Sequence, residues 1–147
     1  MNKKGVNFIE LVIVISIVAA FAAFVIPNYE RSLDKAQARN AKVNLQAIQG
    51  ALKIYEAKHG DLSSLDLNGQ DAINAALGLK VSDGDLDYHC YLYDPDDINR
   101  FVCDAANNPK GYVLRQYIND GTIVCNNLNL LGPEGQGRSA ICEELGY

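Results

Sequence analysis

The chain has 147 residues, 48% of them hydrophobic and 21% charged, with 13 Lys and Arg against 18 Asp and Glu for a net charge of -5. That apolar fraction excludes an intrinsically disordered chain, and the length excludes a multi-domain enzyme. The excess of acid argues against non-specific nucleic-acid binding, which needs a basic surface to displace counterions.

The apolar residues are unevenly spread. From Leu11 to Tyr29, 19 consecutive residues carry no charge and 16 of them belong to the hydrophobic set. As a helix this run spans about 28 Å, close to the hydrocarbon thickness of a bilayer. Lys3 and Lys4 precede it and no Lys or Arg follows until Arg31, which keeps the amino end cytoplasmic and sends the rest of the chain outward. A cleaved secretory signal is the alternative. Ala20-Phe21-Ala22 imitates its small-residue site, but Phe24-Val25-Ile26 carry the apolar run past that point. Glu10 is the informative residue, because a carboxylate at the mouth of an apolar helix is expensive to desolvate and such groups usually mark a function.

The residues around it are Lys3-Lys4-Gly5 and then Val6-Asn7-Phe8-Ile9-Glu10-Leu11. This segment resembles the amino terminus of type IV prepilins: a short basic leader ending in Gly, a cleavage point, and a Glu four residues after the new amino terminus. The resemblance implies cleavage between Gly5 and Val6 by a prepilin peptidase on the cytoplasmic side. Val6, where the family usually carries Phe, would become the N-methylated amino terminus. Glu10 would neutralise the terminal amine of a neighbouring subunit during assembly, since opposite charges in a low-dielectric bundle attract strongly and either alone is penalised. Pro27 matches the family's helix-breaking Pro, whose missing N–H makes local unwinding cheap. The resemblance covers roughly residues 1 to 60 and beyond that is one of layout.

After Pro27 the pattern turns amphipathic. Ala41, Leu45, Ile48, Leu52 and Tyr55 recur at steps of three and four, which places them on one helix face. One helix from about Val6 to His59, bent or loosened near Pro27 and stopped by Gly60, is the expectation. A loop over Gly60–Gly69 and a short helix over Asp71–Leu77, closed by Gly78, follow. Strands are expected over about Leu86–Tyr93, Arg100–Ala105, Gly111–Ile118 and Thr122–Cys125, with Asn119-Asp120-Gly121 as a tight turn. Ser139 to Gly146 reads as one terminal helical turn with Ser139 as its N-cap. The fold class is therefore α+β. The resemblance refines it to a pilin fold, in which one long amino-terminal helix packs on a small antiparallel sheet. Residues 1–5 are then the leader, 6–29 the membrane or fibre-core half of the helix, and 30–147 the head.

Cys90, Cys103, Cys125 and Cys142 all lie beyond the apolar run. An even number in an exported domain favours disulfides, and four cysteines allow three pairings. A hairpin with Asp94–Asn99 as its loop sets Cys90 opposite Cys103, within bridging reach. Cys125–Cys142 would then pin the carboxy-terminal loop to the sheet, as the disulfide-bounded loop of many type IV pilins does. No C-x₂-C pairing marks a zinc site beside His89, and C-x-x-C-H is absent.

Asp83, Asp85 and Asp87 alternate, with Asp94, Asp96 and Asp97 close behind. Hard oxygen ligands at that spacing are weak candidates for calcium. A solvated turn is the commoner use of such a run. An EF-hand is excluded, because Tyr88 stands where the turn Gly is required. A nucleophile elbow, a P-loop, an HExxH helix and a dinucleotide fingerprint are all missing, so neither a catalytic set nor a resident cofactor is expected.

What the resemblance implies is a structural subunit. It would sit in the inner membrane as a precursor, meet the peptidase and the inner-membrane assembly machinery, and polymerise with its own copies into a helical filament. The mature form would lie in an extracellular pilus serving adhesion, motility, DNA uptake or secretion. The alternative is a periplasmic pseudopilus of a type II secretion system, whose major subunits carry a calcium site in their late loops. The cysteines favour the pilus and an acidic calcium loop would favour the alternative. A membrane-anchored monomeric binding or catalytic domain is the third possibility, and it has no use for Glu10.

Overall fold

Small and branched apolar residues recur every three or four positions from Ala38 onward, and a helical backbone brings them to one side. Ala38, Ala41, Leu45, Ile48 and Leu52 are all buried. They lie on α1, which runs Phe8–His59 in the computed structural model. The structure describes residues 7–81, 85–93, 101–128, 142–143 and 145–147, and the side chains of residues 24, 27, 28 and 31 within α1 fall outside that description. The chain divides into two units between Ala36 and Gln37. The helical assignment runs through residue 27 without a break, so the backbone there tolerates the single hydrogen bond that Pro27 removes. At the other end the Gly60 N–H donates to Glu56 O at 2.8 Å, where the helix was expected to stop.

In the second unit α1 is followed by β1 (Leu67–Asn68), α2 (Gln70–Leu77), β2 (Asp87–Leu92), β3 (Phe101–Asn107), β4 (Tyr112–Tyr117) and β5 (Ile123–Asn127). The strands form one sheet in the order β1-β2-β3-β4-β5, and every neighbouring pair is antiparallel. α2 ends at Gly78, whose φ of 67° and ψ of 26° are left-handed and whose N–H donates to Asn74 O. That conformation costs a side chain far more than it costs glycine. The Asn74 side chain then holds the exit, donating to Val81 O at 2.9 Å and accepting from Val81 N–H at 2.7 Å.

The residues that alternate toward α1 on the strands are Tyr88 and Cys90, Phe101, Cys103 and Ala105, Tyr112 and Leu114, and Cys125. All are buried, in one core with Leu45, Ile48 and Leu52. Full burial of each Leu or Ile stabilises the fold by about 1.5–3 kcal/mol. Polar ties cross the same layer. Asn44 Nδ2 donates to Tyr88 Oη at 3.0 Å, Gln49 Nε2 to Ile118 O at 2.8 Å, and Gln116 Nε2 to Gln49 Oε1 at 3.0 Å. Gly121, with φ of 78°, lies so close that an added Cβ would sit 3.0 Å from Gln49 Nε2. The turn that brings it there is tied by Tyr117 N–H to Thr122 O and Gly121 N–H to Tyr117 O, both at 2.9 Å.

Three strands differ from the sequence expectation. β1 falls inside the expected loop, because two residues are too few to show a period. β3 and β5 run on to Asn107 and Asn127, two residues past their expected ends. Asn is a poor strand former, but both are held by pairing, with Tyr112 opposite Asn107 on one side and Asn127 on the other. Cys142 and Glu143 are helical, and Ser139 lies outside the described residues.

Candidate assembly surface

The first unit has no core of its own among the described residues. Every described side chain from Asn7 to Ala23 is exposed, Phe8 at 76%, Phe21 at 67% and Val18 at 59% among them. These apolar groups point to all sides of the helix, whereas a surface helix of a globular protein shows a stripe. A helix apolar all round is stable only when something other than water surrounds it, and so large an exposed patch marks an interaction surface.

Glu10 is the one charged residue between Asn7 and Ala23. It is exposed in the first turn of α1, and its Oε2 accepts from Asn7 N–H at 3.4 Å. A carboxylate there complements the positive end of the helix dipole. Ser16, the other polar side chain of the run, turns its hydroxyl back to Val12 O at 2.8 Å and offers nothing outward as a donor. Gly5 and Val6, the expected cleavage pair, lie outside the described residues, as does the Pro27 side chain. Among the described residues no helix is long and apolar enough to cross a membrane. The spanning segment expected over 6–29 is thus not found there, and the unbroken described side chains of that run end at Ala23.

In the second unit Cys90 is bonded to Cys103 and Cys125 to Cys142. The first bridge joins residues directly opposite on β2 and β3. The second closes over 17 residues and returns the carboxy-terminal segment to β5. Tyr147 is half-buried against the core, its ring 5.7 Å from the Lys42 ammonium, and burial raises its phenol pKa above the usual value.

The sheet face turned away from α1 carries a polar network that sequence reasoning missed. Asp104 and Arg115 are directly opposed on β3 and β4. Arg115 Nε donates to Asp104 Oδ1 at 2.8 Å and its Nη2 to Oδ2 at 2.7 Å, a bidentate pair. The same Nη2 donates to Tyr91 Oη at 2.8 Å, and that hydroxyl donates to Asp104 Oδ2 at 3.0 Å. The guanidinium lies 4.7 Å from the Tyr93 ring centroid, within cation–π range. Burial opposes the charge on Arg115, but its hydrogen bond to Asp104 and that carboxylate's charge outweigh burial and raise its pKa further. Burial first, and then the Asp104 charge, push the Tyr91 phenol up to about 12. His89 extends the network, its ring tilted against that of Tyr91 at 4.5 Å between centroids and its Nε2 2.7 Å from Asp66 Oδ1. The only sequence signal was the hairpin register, which sets Asp104 opposite Arg115 once Asn107 is seen to pair with Tyr112.

Of the calcium candidates, only Asp85 and Asp87 are among the described residues. Asp83 lies outside the described residues, Asp85 Oδ2 accepts from Gln37 Nε2 at 2.8 Å and Asp87 Oδ2 from Asn108 Nδ2 at 2.6 Å. Among the described residues no group of three or more His, Cys, Asp or Glu is placed to hold a metal ion. Comparison with known proteins returns no matching family model, no matching curated protein and no matching solved structure.

Proposed function

We propose that this chain is the structural subunit of a type IV pilus-like filament, cleaved between Gly5 and Val6 and assembled through its apolar helix. The reading rests on one observation above the others. The segment Phe8–Ala23 is helical, apolar on every side and exposed, and carries a single carboxylate at its start. A bilayer and then a bundle of identical helices are the two surroundings that satisfy such a surface. Of those, only a bundle gives Glu10 an opposite charge, the terminal amine of a neighbouring copy. The precursor would sit in the inner membrane with residues 30–147 outside. The two disulfides suit an oxidising compartment of that kind.

Glu10→Ala is the test. The variant should reach the membrane in normal amount and keep the unfolding midpoint of its head, because Glu10 is not one of the residues that form the head's hydrophobic core. Filaments on sheared cells, counted by electron microscopy, should fall to the background of a strain lacking the chain. Undiminished filaments from Glu10→Ala would reject the assembly role. Mass spectrometry of the assembled subunit should give Val6 as its first residue, carrying one added methyl. Intact Met1 in that material would reject the cleavage.

A further inference from the structure

Of the 14 asparagines in the chain only Asn68 is followed by glycine. The pair matters chemically, because the backbone nitrogen after an asparagine can attack its carboxamide carbon, and a glycine there puts no Cβ in the way. The structure singles out the same residue. Asn108 precedes Pro109, whose nitrogen carries no proton to lose. Asn40, Asn44 and Asn74 lie inside helices, where the next nitrogen is tied into the ladder of helical hydrogen bonds. Asn74 is also held by two bonds to Val81, and Asn44 by its bond to Tyr88. Asn107 is buried. Asn68 is exposed, and its carboxamide makes no hydrogen bond among the described residues.

The attacking nitrogen is held at the weakest place in the sheet. Gly69 N–H donates to Tyr88 O at 2.8 Å. That bond closes an edge strand of two residues, with Leu67 opposite Cys90 and Asn68 opposite His89. The end of so short an edge strand opens locally without unfolding the sheet. Gly69 has φ of 89° and open space around it, since an added Cβ would meet nothing within 4 Å. Once the bond to Tyr88 opens, the chain has room to turn this nitrogen onto the carboxamide.

We propose that Asn68–Gly69 is a site of self-modification, at which the head converts Asn68 to aspartate and isoaspartate and so releases its own edge strand. The Gly69 nitrogen gives its proton to water and attacks Asn68 Cγ. A new N–C bond closes a succinimide ring, and the Cγ–Nδ2 bond breaks to release ammonia, which takes up a proton. Water then adds to one ring carbonyl and breaks its bond to the nitrogen: opening at Cγ leaves aspartate, and opening at the main-chain carbonyl leaves isoaspartate. Either product sets a carboxylate opposite His89, whose Nε2 already lies 2.7 Å from Asp66 Oδ1. Isoaspartate also lengthens the main chain between buried Leu67 and Gly69. The Gly69 N–H then loses its place against Tyr88 O, and with it moves Gly69 O, which accepts from Ile73 N–H at 3.2 Å in the first turn of α2. The inference stands independently of the filament reading.

The test incubates the folded, detergent-solubilised full chain at mildly alkaline pH and follows each asparagine by peptide mass spectrometry. Asn68 should gain the mass of an amide-to-acid exchange at least about ten-fold faster than Asn40, Asn44 or Asn74, the margin that its looser local structure provides. Its peptide should resolve into two acid products, aspartate and isoaspartate. Equal rates at the four residues, or a single aspartate product, would overturn the proposal. The separated isoaspartate form should then exchange the Gly69 and Ile73 amide protons at least about ten-fold faster than the unaltered chain. Asn68→Asp, which carries the charge without the longer main chain, should keep both amides protected. Unchanged exchange in the isoaspartate form, or equal loss of protection in Asn68→Asp, would overturn the release of the edge strand by main-chain lengthening.

Discussion

Replacing Arg115 by Met tests whether the network on the outer sheet face holds the head together. The side chains of Arg115 and Asp104 are only 8% and 12% exposed, so the substitution strands a carboxylate that water barely reaches. Arg115 supplies three of the network's bonds, two to Asp104 and one to Tyr91. After its loss the Tyr91 hydroxyl is the one donor left to Asp104 within that network. Breaking one partner of such a buried pair costs about 3–5 kcal/mol, and the slight residual exposure places this case near about 3 kcal/mol. Asp104→Leu should cost a similar amount, because it strands the guanidinium. The double variant leaves no unpaired buried charge, so its cost should fall about 2 kcal/mol short of the sum of the two single costs. The chain has eight Tyr and no Trp, so near-ultraviolet circular dichroism reports on tyrosine packing, and urea unfolding of the detergent-solubilised chain gives the three free energies. An Arg115→Met loss below about 1 kcal/mol, or strict additivity in the cycle, would refute the reasoning.

Three further outcomes follow from the same geometry. Ile48→Ala, at a fully buried position, should destabilise the head by about 2–4 kcal/mol, whereas Val43→Ala on the opposite side of α1 should stay within about 0.5 kcal/mol. Urea midpoints separate them. Because the Tyr91 pKa rises from 10.0 to about 12 on folding, the stability tied to its protonated form is complete below pH 10 and is lost as pH climbs through about 12. Unfolding of Tyr91→Phe should lack that alkaline decline, and an identical decline in the variant would contradict the assignment. Replacing Cys125 and Cys142 together by Ser opens a loop of 17 residues and should cost about 3 kcal/mol on loop entropy. A midpoint unchanged in non-reducing urea would contradict that.

Much of the fold was legible because its periods are long. The core face of α1 shows itself in Ala41, Leu45, Ile48 and Leu52, and the tight signals at Gly60 and Gly78 mark real helix ends. Cys90 opposite Cys103 came from counting across a hairpin. What escaped was either short or set by neighbours. Leu67–Asn68 is a strand only because β2 pairs with it, and Asn107 and Asn127 extend strands that their own preference would end. The Asp104–Arg115 pair needs the β3–β4 register, which a two-residue error in a strand end conceals.

Assembly through the apolar helix is the central claim, and electron cryomicroscopy of filaments sheared from cells making this chain tests it most directly. The expected result is a helical polymer of one subunit, with the segments that begin at Phe8 gathered around its axis and residues 37–147 forming the outer wall. Monomers alone, or a polymer whose Phe8–Ala23 helices lie away from the axis, would contradict it.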